Sequence, residues 1–168
     1  MNLLELFAPI RTFVFDLDGV LTDGSLMFIN EGLMPASVNT KDLYAIQQAR
    51  KKGYTVLLIT EYRSEPTRRA LCDPGIVDVH FGIENKKEFI EKLIATRGSS
   101  SDSILYMGND IPAYAALQVC GLPCCPNDAV PEIKQVSKYI SPFSGGRGCV
   151  RDVIEKTLKL NGDWQLPT

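Results

Sequence analysis

Alternation constrains this chain more than any other feature: short β-branched and aromatic runs trade places with segments of helical period. Strands are expected at Thr12–Phe15, Tyr54–Ile59, Val77–Phe81, Ser103–Met107, Leu122–Cys125 and Lys138–Ile140. Between and after them, Leu43, Ile46 and Ala49 share one helical face. Phe89, Ile90, Leu93 and Ile94 do the same, as do Val150, Val153, Ile154 and Leu158. Strands that alternate with helices imply a parallel sheet covered on both faces, and right-handed crossovers wind it in both directions. The expected class is α/β, a doubly wound Rossmann-like parallel sheet.

One segment breaks the alternation. After the first strand, GSLMFINEGLMPASV places Asn30-Glu31-Gly32 between two β-prone stretches, the pattern of a β-hairpin. Pro35 marks its second arm as an edge or interface strand. Between the second and third strands there is room for about one helix, so no cap domain is expected. No repeat, low-complexity tract or linker interrupts the chain, and residues 1–168 read as a single domain.

Composition narrows the function. The 18 basic and 20 acidic residues leave a formal charge of −2, which argues against nucleic acid as the main partner. The opening MNLLELFAPIRTF has no basic n-region and is interrupted by Glu5 and Arg11, so neither a signal peptide nor a membrane span is expected. A cytoplasmic location and reduced thiols follow for the five cysteines. Cys120, Cys124 and Cys125 are not spaced as a CxxC pair, and His80 is the single histidine. Core packing is the expected use of these thiols, and His80 is expected to be a packed or edge side chain.

In open α/β sheets ligands bind beyond the carboxyl ends of the strands. There the first strand runs into FDLDGVLTDG, residues 15–24, with Asp16 and Asp18 flanking one apolar residue and Gly19 allowing a sharp turn. Two carboxylates this close repel unless a cation lies between them, so Mg²⁺ is expected. Asp16 is suited to attack a phosphoryl group. Asp18 is suited to protonate the leaving oxygen and later to deprotonate water. Capping a turn is the alternative use of the pair.

These residues resemble the haloacid dehalogenase superfamily, and within it the 3-deoxy-D-manno-octulosonate 8-phosphate phosphatases. The resemblance runs from about Thr12 to Trp164. It rests on FDLDGVLTDG, the NEG hairpin tip, NTKD at 39–42, LLIT ending at Thr60, FGIENK ending at Lys86, YMGND ending at Asp110, and GGRGCVRD at 145–152. It implies that Asp16 is nucleophile and metal ligand. Asp18 would be the acid/base and give its backbone carbonyl to the metal. Thr60 would bind the transferring phosphoryl group, and Lys86 would neutralise it. Asn109 and Asp110 fall at the remaining metal position, and Asn39, Asp42, Tyr62, Arg63 and Arg147 at the substrate. Gly145-Gly146-Arg147-Gly148 before the last helix is expected to offer N–H groups to an anion, although a plain flexible connection has the same spacing.

The implied substrate is a phosphorylated sugar acid, octulosonate 8-phosphate first, which belongs to lipopolysaccharide precursor synthesis. The family covers its open sites by forming homotetramers through the hairpins, and Leu26, Phe28, Leu33 and Met34 supply apolar surface for that. A hairpin folded back on its own domain is the alternative.

The chain also departs from the family. Asn109 stands where the family has a metal-binding aspartate, Glu61 where it has glycine, and Tyr62 and Ala70 where it has arginines. Leu43 replaces a glycine and Ala113 an acidic residue. The changed pocket leaves open a nine-carbon sugar-acid 9-phosphate as substrate, or a degenerate relative that binds without turnover.

Overall fold

The computed structural model describes residues 2–30, 32–35, 37–73, 75, 77–98 and 100–168. Six parallel strands form the main sheet: β1 (Thr12–Asp16), β4 (Thr55–Ile59), β5 (Val79–His80), β6 (Ile104–Met107), β7 (Leu122–Cys125) and β8 (Tyr139–Ile140), in the order β5-β4-β1-β6-β7-β8. The antiparallel hairpin, β2 (Leu26–Ile29) with β3 (Gly32–Pro35), follows β1 as expected, and Glu31 at its tip lies outside the described residues. The helices are α1 (Thr40–Lys51), α2 (Glu65–Thr67), α3 (Lys86–Arg97), α4 (Tyr114–Leu117), α5 (Pro131–Val136) and α6 (Cys149–Leu160). Among the described residues only α2 and the wide turn Arg68–Cys72 separate β4 from β5, so no cap is built there.

Strand alternation builds two cores. Phe13 and Phe15 of β1 face one side, where Ala45 and Ile46 of α1 and Val150, Val153 and Ile154 of α6 meet them. Val14 faces the other side, toward Ile90, Leu117 and Ile133 from α3, α4 and α5. Every residue of β1 is buried, as befits a central parallel strand. The expected face of α6 is fully buried, whereas on α3 only Ile90 is, and Phe89, Leu93 and Ile94 are partly covered. The cysteines of β7 are fully buried free thiols, as expected of core residues. His80 lies on β5 with its ring edge-on to Phe89. Among the described residues no helix is long and apolar enough to cross a membrane.

Chain order reverses at β1. The path runs outward from β1 to β4 and β5, then returns to β6 on the other side of β1. Crevices form at such reversals, at the carboxyl ends of the strands. Register brings the ends together: Asp16 lies opposite Ile59, so Thr60 follows beside it, and Phe15 lies opposite Met107, so Gly108 and Asn109 follow on the other flank.

Candidate active site

Asp16 ends β1 and is 2% exposed. Its Oδ1 accepts a hydrogen bond from the Tyr106 hydroxyl at 2.7 Å, and its Oδ2 pairs with Lys86 Nζ at 3.0 Å. Burial pushes the Asp16 carboxyl above its ordinary range, while Lys86 and the Tyr106 hydroxyl pull it back. Lys86 opens α3, a position where a cation opposes the helix dipole. The buried carboxylate facing it offsets that cost.

Beyond Asp16 the chain turns through Gly19, whose φ of +87° suits glycine. A Cβ at Gly19 would fall 2.0 Å from Asn109 Nδ2, so the Asn109 amide lies directly over this turn. The buried Thr22 hydroxyl ties the loop by accepting from the Gly19 N–H at 3.3 Å and the Gly24 N–H at 3.1 Å. Asp18 Oδ2 accepts from the Thr60 hydroxyl at 2.7 Å, and the Thr60 oxygen accepts from the Tyr62 N–H at 3.2 Å. Gly108 is required by crowding: a Cβ there would lie 2.3 Å from the Ala113 methyl and 3.3 Å from Asp16 Oδ2.

A cavity of about 220 Å³ opens over these groups and is lined by Asp16, Asp18, Thr60, Lys86, Asn109 and Tyr62. Glu61 and Asp110 add two carboxylates to its wall, and Leu26 brings the hairpin to its edge. Lys86 is the one cation among the described lining residues. The arginines that follow are engaged elsewhere. Arg63 lies with its guanidinium against Gly82, and Arg68 pairs with Glu65 and Asp73, each at 2.6 Å. Asp110 Oδ1 accepts from the Ile111 N–H at 2.8 Å and caps the short turn after β6. Among the described residues no three His, Cys, Asp or Glu side chains gather as a metal site, so a cation there would need the Asn109 amide oxygen or backbone carbonyls.

The other sequence-derived positions lie apart from this cavity. Asp42 is fully buried, and its carboxylate accepts from the Gly148 N–H at 3.2 Å and the Arg151 N–H at 2.8 Å. It caps the start of α6. The loop before that helix does not offer free N–H groups as expected. Gly145 donates to Asp128 Oδ1 at 2.9 Å, Gly146 to the Val20 carbonyl at 2.9 Å, and Gly148 to Asp42. Its glycines serve close approach instead, because a Cβ at Gly145 would fall 2.0 Å from the Gly19 carbonyl oxygen. Asn39 caps α1 through the Lys41 N–H, and together with Arg147 it lines a second cavity. Sequence reading missed Tyr106. Its one signal is position, two residues before the glycine that flanks Asp16.

No protein-family model matches the chain. The 3-deoxy-D-manno-octulosonate 8-phosphate phosphatase KdsC of Salmonella typhi is 29% identical over 153 residues, which span 91% of this chain and 81% of that protein. Among solved structures, a putative haloacid dehalogenase superfamily (subfamily III A) hydrolase from Legionella pneumophila superposes with a TM-score of 0.87 at 28% identity, covering 95% of this chain and 88% of that one. The 3-deoxy-D-manno-octulosonate 8-phosphate phosphatase of Moraxella catarrhalis, solved with magnesium, phosphate and KDO, gives a TM-score of 0.85 at 26% identity, over 94% and 91% of the two chains. The buried Asp16–Lys86 pair, the Asp18–Thr60 contact and these likenesses lead to one reading: the chain has the haloacid dehalogenase fold and is similar, among proteins of that fold, to the 3-deoxy-D-manno-octulosonate 8-phosphate phosphatases.

Proposed function

We propose that this chain is a divalent-metal-dependent phosphomonoesterase acting on a phosphorylated sugar acid, with 3-deoxy-D-manno-octulosonate 8-phosphate as the first candidate. The carrying observation is the buried Asp16 carboxylate, held at one oxygen by Tyr106 and at the other by Lys86. A carboxylate fixed this way at the mouth of a cavity is oriented as a nucleophile. The comparisons support the substrate class, since relatives across most of the chain bear that activity in their names.

The residues fit a hard cation. Asp16, Asp18, Asn109 and Asp110 offer only oxygen donors, and one ammonium, Lys86, faces this excess of carboxylates. Mg²⁺ is commonly held by one or two carboxylates and water. Asp16, the Asp18 backbone carbonyl and the Asn109 amide oxygen would hold it, with one charge fewer than an aspartate at 109 would give. Bound there, it would neutralise phosphoryl charge.

In the reaction Asp16 attacks phosphorus and the ester P–O bond breaks, while Asp18 gives its proton to the leaving sugar oxygen. Asp18 then takes a proton from water, which attacks the aspartyl-phosphate and frees Asp16 and inorganic phosphate. The Thr60 hydroxyl and Lys86 ammonium face the transferring oxygens. Leu26, Leu33 and Met34 are half-buried and Phe28 is 90% exposed. That apolar surface supports a homotetramer in which neighbouring hairpins meet.

The test is phosphate release from octulosonate 8-phosphate and from a nine-carbon sugar-acid 9-phosphate, with Mg²⁺ and with chelator. Chelator-sensitive turnover that vanishes in Asp16→Asn is expected. Turnover that survives Asp16→Asn would refute the assignment of the nucleophile.

A further inference from the structure

Among the described residues a cavity larger than the one over Asp16 lies elsewhere on the molecule. A groove of about 480 Å³ runs between the start of α1, the loop before α6 and the outer face of α6. Its cations are Lys41, Arg147, Arg151, Lys156 and Lys159, facing the two carboxylates Asp152 and Glu155. A local excess of three positive charges stands out on a chain whose formal charge is −2.

The two carboxylates are already engaged. Asp152 accepts from Tyr139 and Ser141 and pairs with Lys156. Glu155 pairs with Arg151 at 2.8 Å and Lys159 at 2.6 Å. Lys41 and Arg147 make no ion pair within 4 Å among the described residues, and both are exposed.

The helix ends sharpen the argument. Lys41 lies in the first turn of α1, Arg151 in the first turn of α6, and Arg147 just before α6. At a helix N-terminus a cation opposes the dipole, so none of the three stabilises its helix. Lys86 is in the same electrostatic position on α3, and there a carboxylate faces it. At the groove no described carboxylate pairs with Lys41 or Arg147 at salt-bridge distance; Asp23 feels the charge of Arg147 but does not close on it. The N–H groups of Gly148 and Arg151 are closed by Asp42, so recognition falls to side chains. Phe143, 47% exposed, adds a flat apolar wall beside them. The volume lies in the range of small-molecule sites.

We propose that this groove is a second anion site, for a soluble small molecule carrying at least two phosphate or carboxylate charges. Lys41 and Arg147 are its primary contacts, and Arg151 and Lys159 are further cations along it.

The test is calorimetric titration with inorganic pyrophosphate in chelator-containing buffer. The protein is the full chain carrying Lys86→Ala, which removes the cation of the Asp16 cavity. One site is expected, weakened at least about tenfold when Lys41→Glu is added, the loss of one charge-assisted contact, and weakened further when Lys159→Glu joins it. Unchanged melting of the charge-reversed proteins keeps the comparison free of misfolding, and Lys41→Ala, a milder variant, is expected to weaken binding in the same direction. The proposal is overturned if the Lys86→Ala protein takes up no pyrophosphate at millimolar concentration, or if binding is insensitive to both charge reversals. Binding to phosphatidylserine vesicles without binding of pyrophosphate would also overturn it, in favour of a lipid headgroup.

Discussion

Replacing Asp42 by asparagine separates a structural role from a substrate role at a position that sequence resemblance assigns to the substrate. The carboxylate is fully buried and caps α6 through two backbone N–H groups. Burial outweighs those bonds and lifts its pKa from 3.8 to about 6. In the unfolded chain the group titrates at the lower value, so between the two the fold binds more protons than the unfolded chain. Unfolding free energy then falls as pH rises through this window. Two units at about 1.36 kcal/mol each remove roughly 3 kcal/mol from below about pH 4 to above about pH 6. Asparagine carries no charge at either end, so its window is absent. The stability of Asp42→Asn relative to the parent is therefore expected to shift by roughly 3 kcal/mol in the variant's favour across that range. Urea unfolding followed by the fluorescence of Trp164 reads it. This is the single tryptophan, packed 6.1 Å from the Tyr44 ring with the Arg151 guanidinium 5.2 Å away. A stability difference that stays flat with pH would refute the reasoning, and a large rise in KM at unchanged stability would return Asp42 to the substrate.

Tyr106→Phe removes the hydroxyl from Asp16 Oδ1 without opening a cavity in the core. A lost hydrogen bond to a charged group is worth roughly 1.5–3 kcal/mol, so kcat/KM for phosphate release should fall about 10- to 100-fold while the circular dichroism spectrum is unchanged. Asn109→Asp restores a carboxylate beside Gly19 and should tighten Mg²⁺ binding at least about tenfold, measured by calorimetry. Equal affinity in parent and variant would show that position 109 does not touch the metal.

The strands were legible because a central parallel strand must be apolar on both faces, and Thr12–Phe15 and Tyr54–Ile59 read that way directly. Their ends were legible too, since Asp16, Thr60 and Lys86 punctuate the elements they close or open. Long-range pairing was not. Nothing local in NTKD announces that Asp42 will cap a helix more than a hundred residues later, or that Asn39 will stand with Arg147 at a different cavity. Tyr106 was hidden by its own strand, where an aromatic residue is the ordinary choice. The glycines of 145–148 looked like anion-binding backbone because sequence shows the missing Cβ and not the neighbour that fills its place. That neighbour is the turn through Gly19 that follows Asp16.

That last contact has an evolutionary consequence. A methyl group at position 145 would collide with the carbonyl of Gly19, and one at 146 would come within 2.6 Å of the Asp23 nitrogen. The two segments lie more than a hundred residues apart in sequence, yet positions 145 and 146 take no side chain until the backbone of residues 19–23 has moved. A single substitution at 145 or 146 therefore pushes on the turn that carries Asp18. Diversification of this enzyme for new substrates is thereby channelled away from the floor of the site. It falls on Glu61, Tyr62 and the hairpin, which lean over the cavity and carry no such backbone debt.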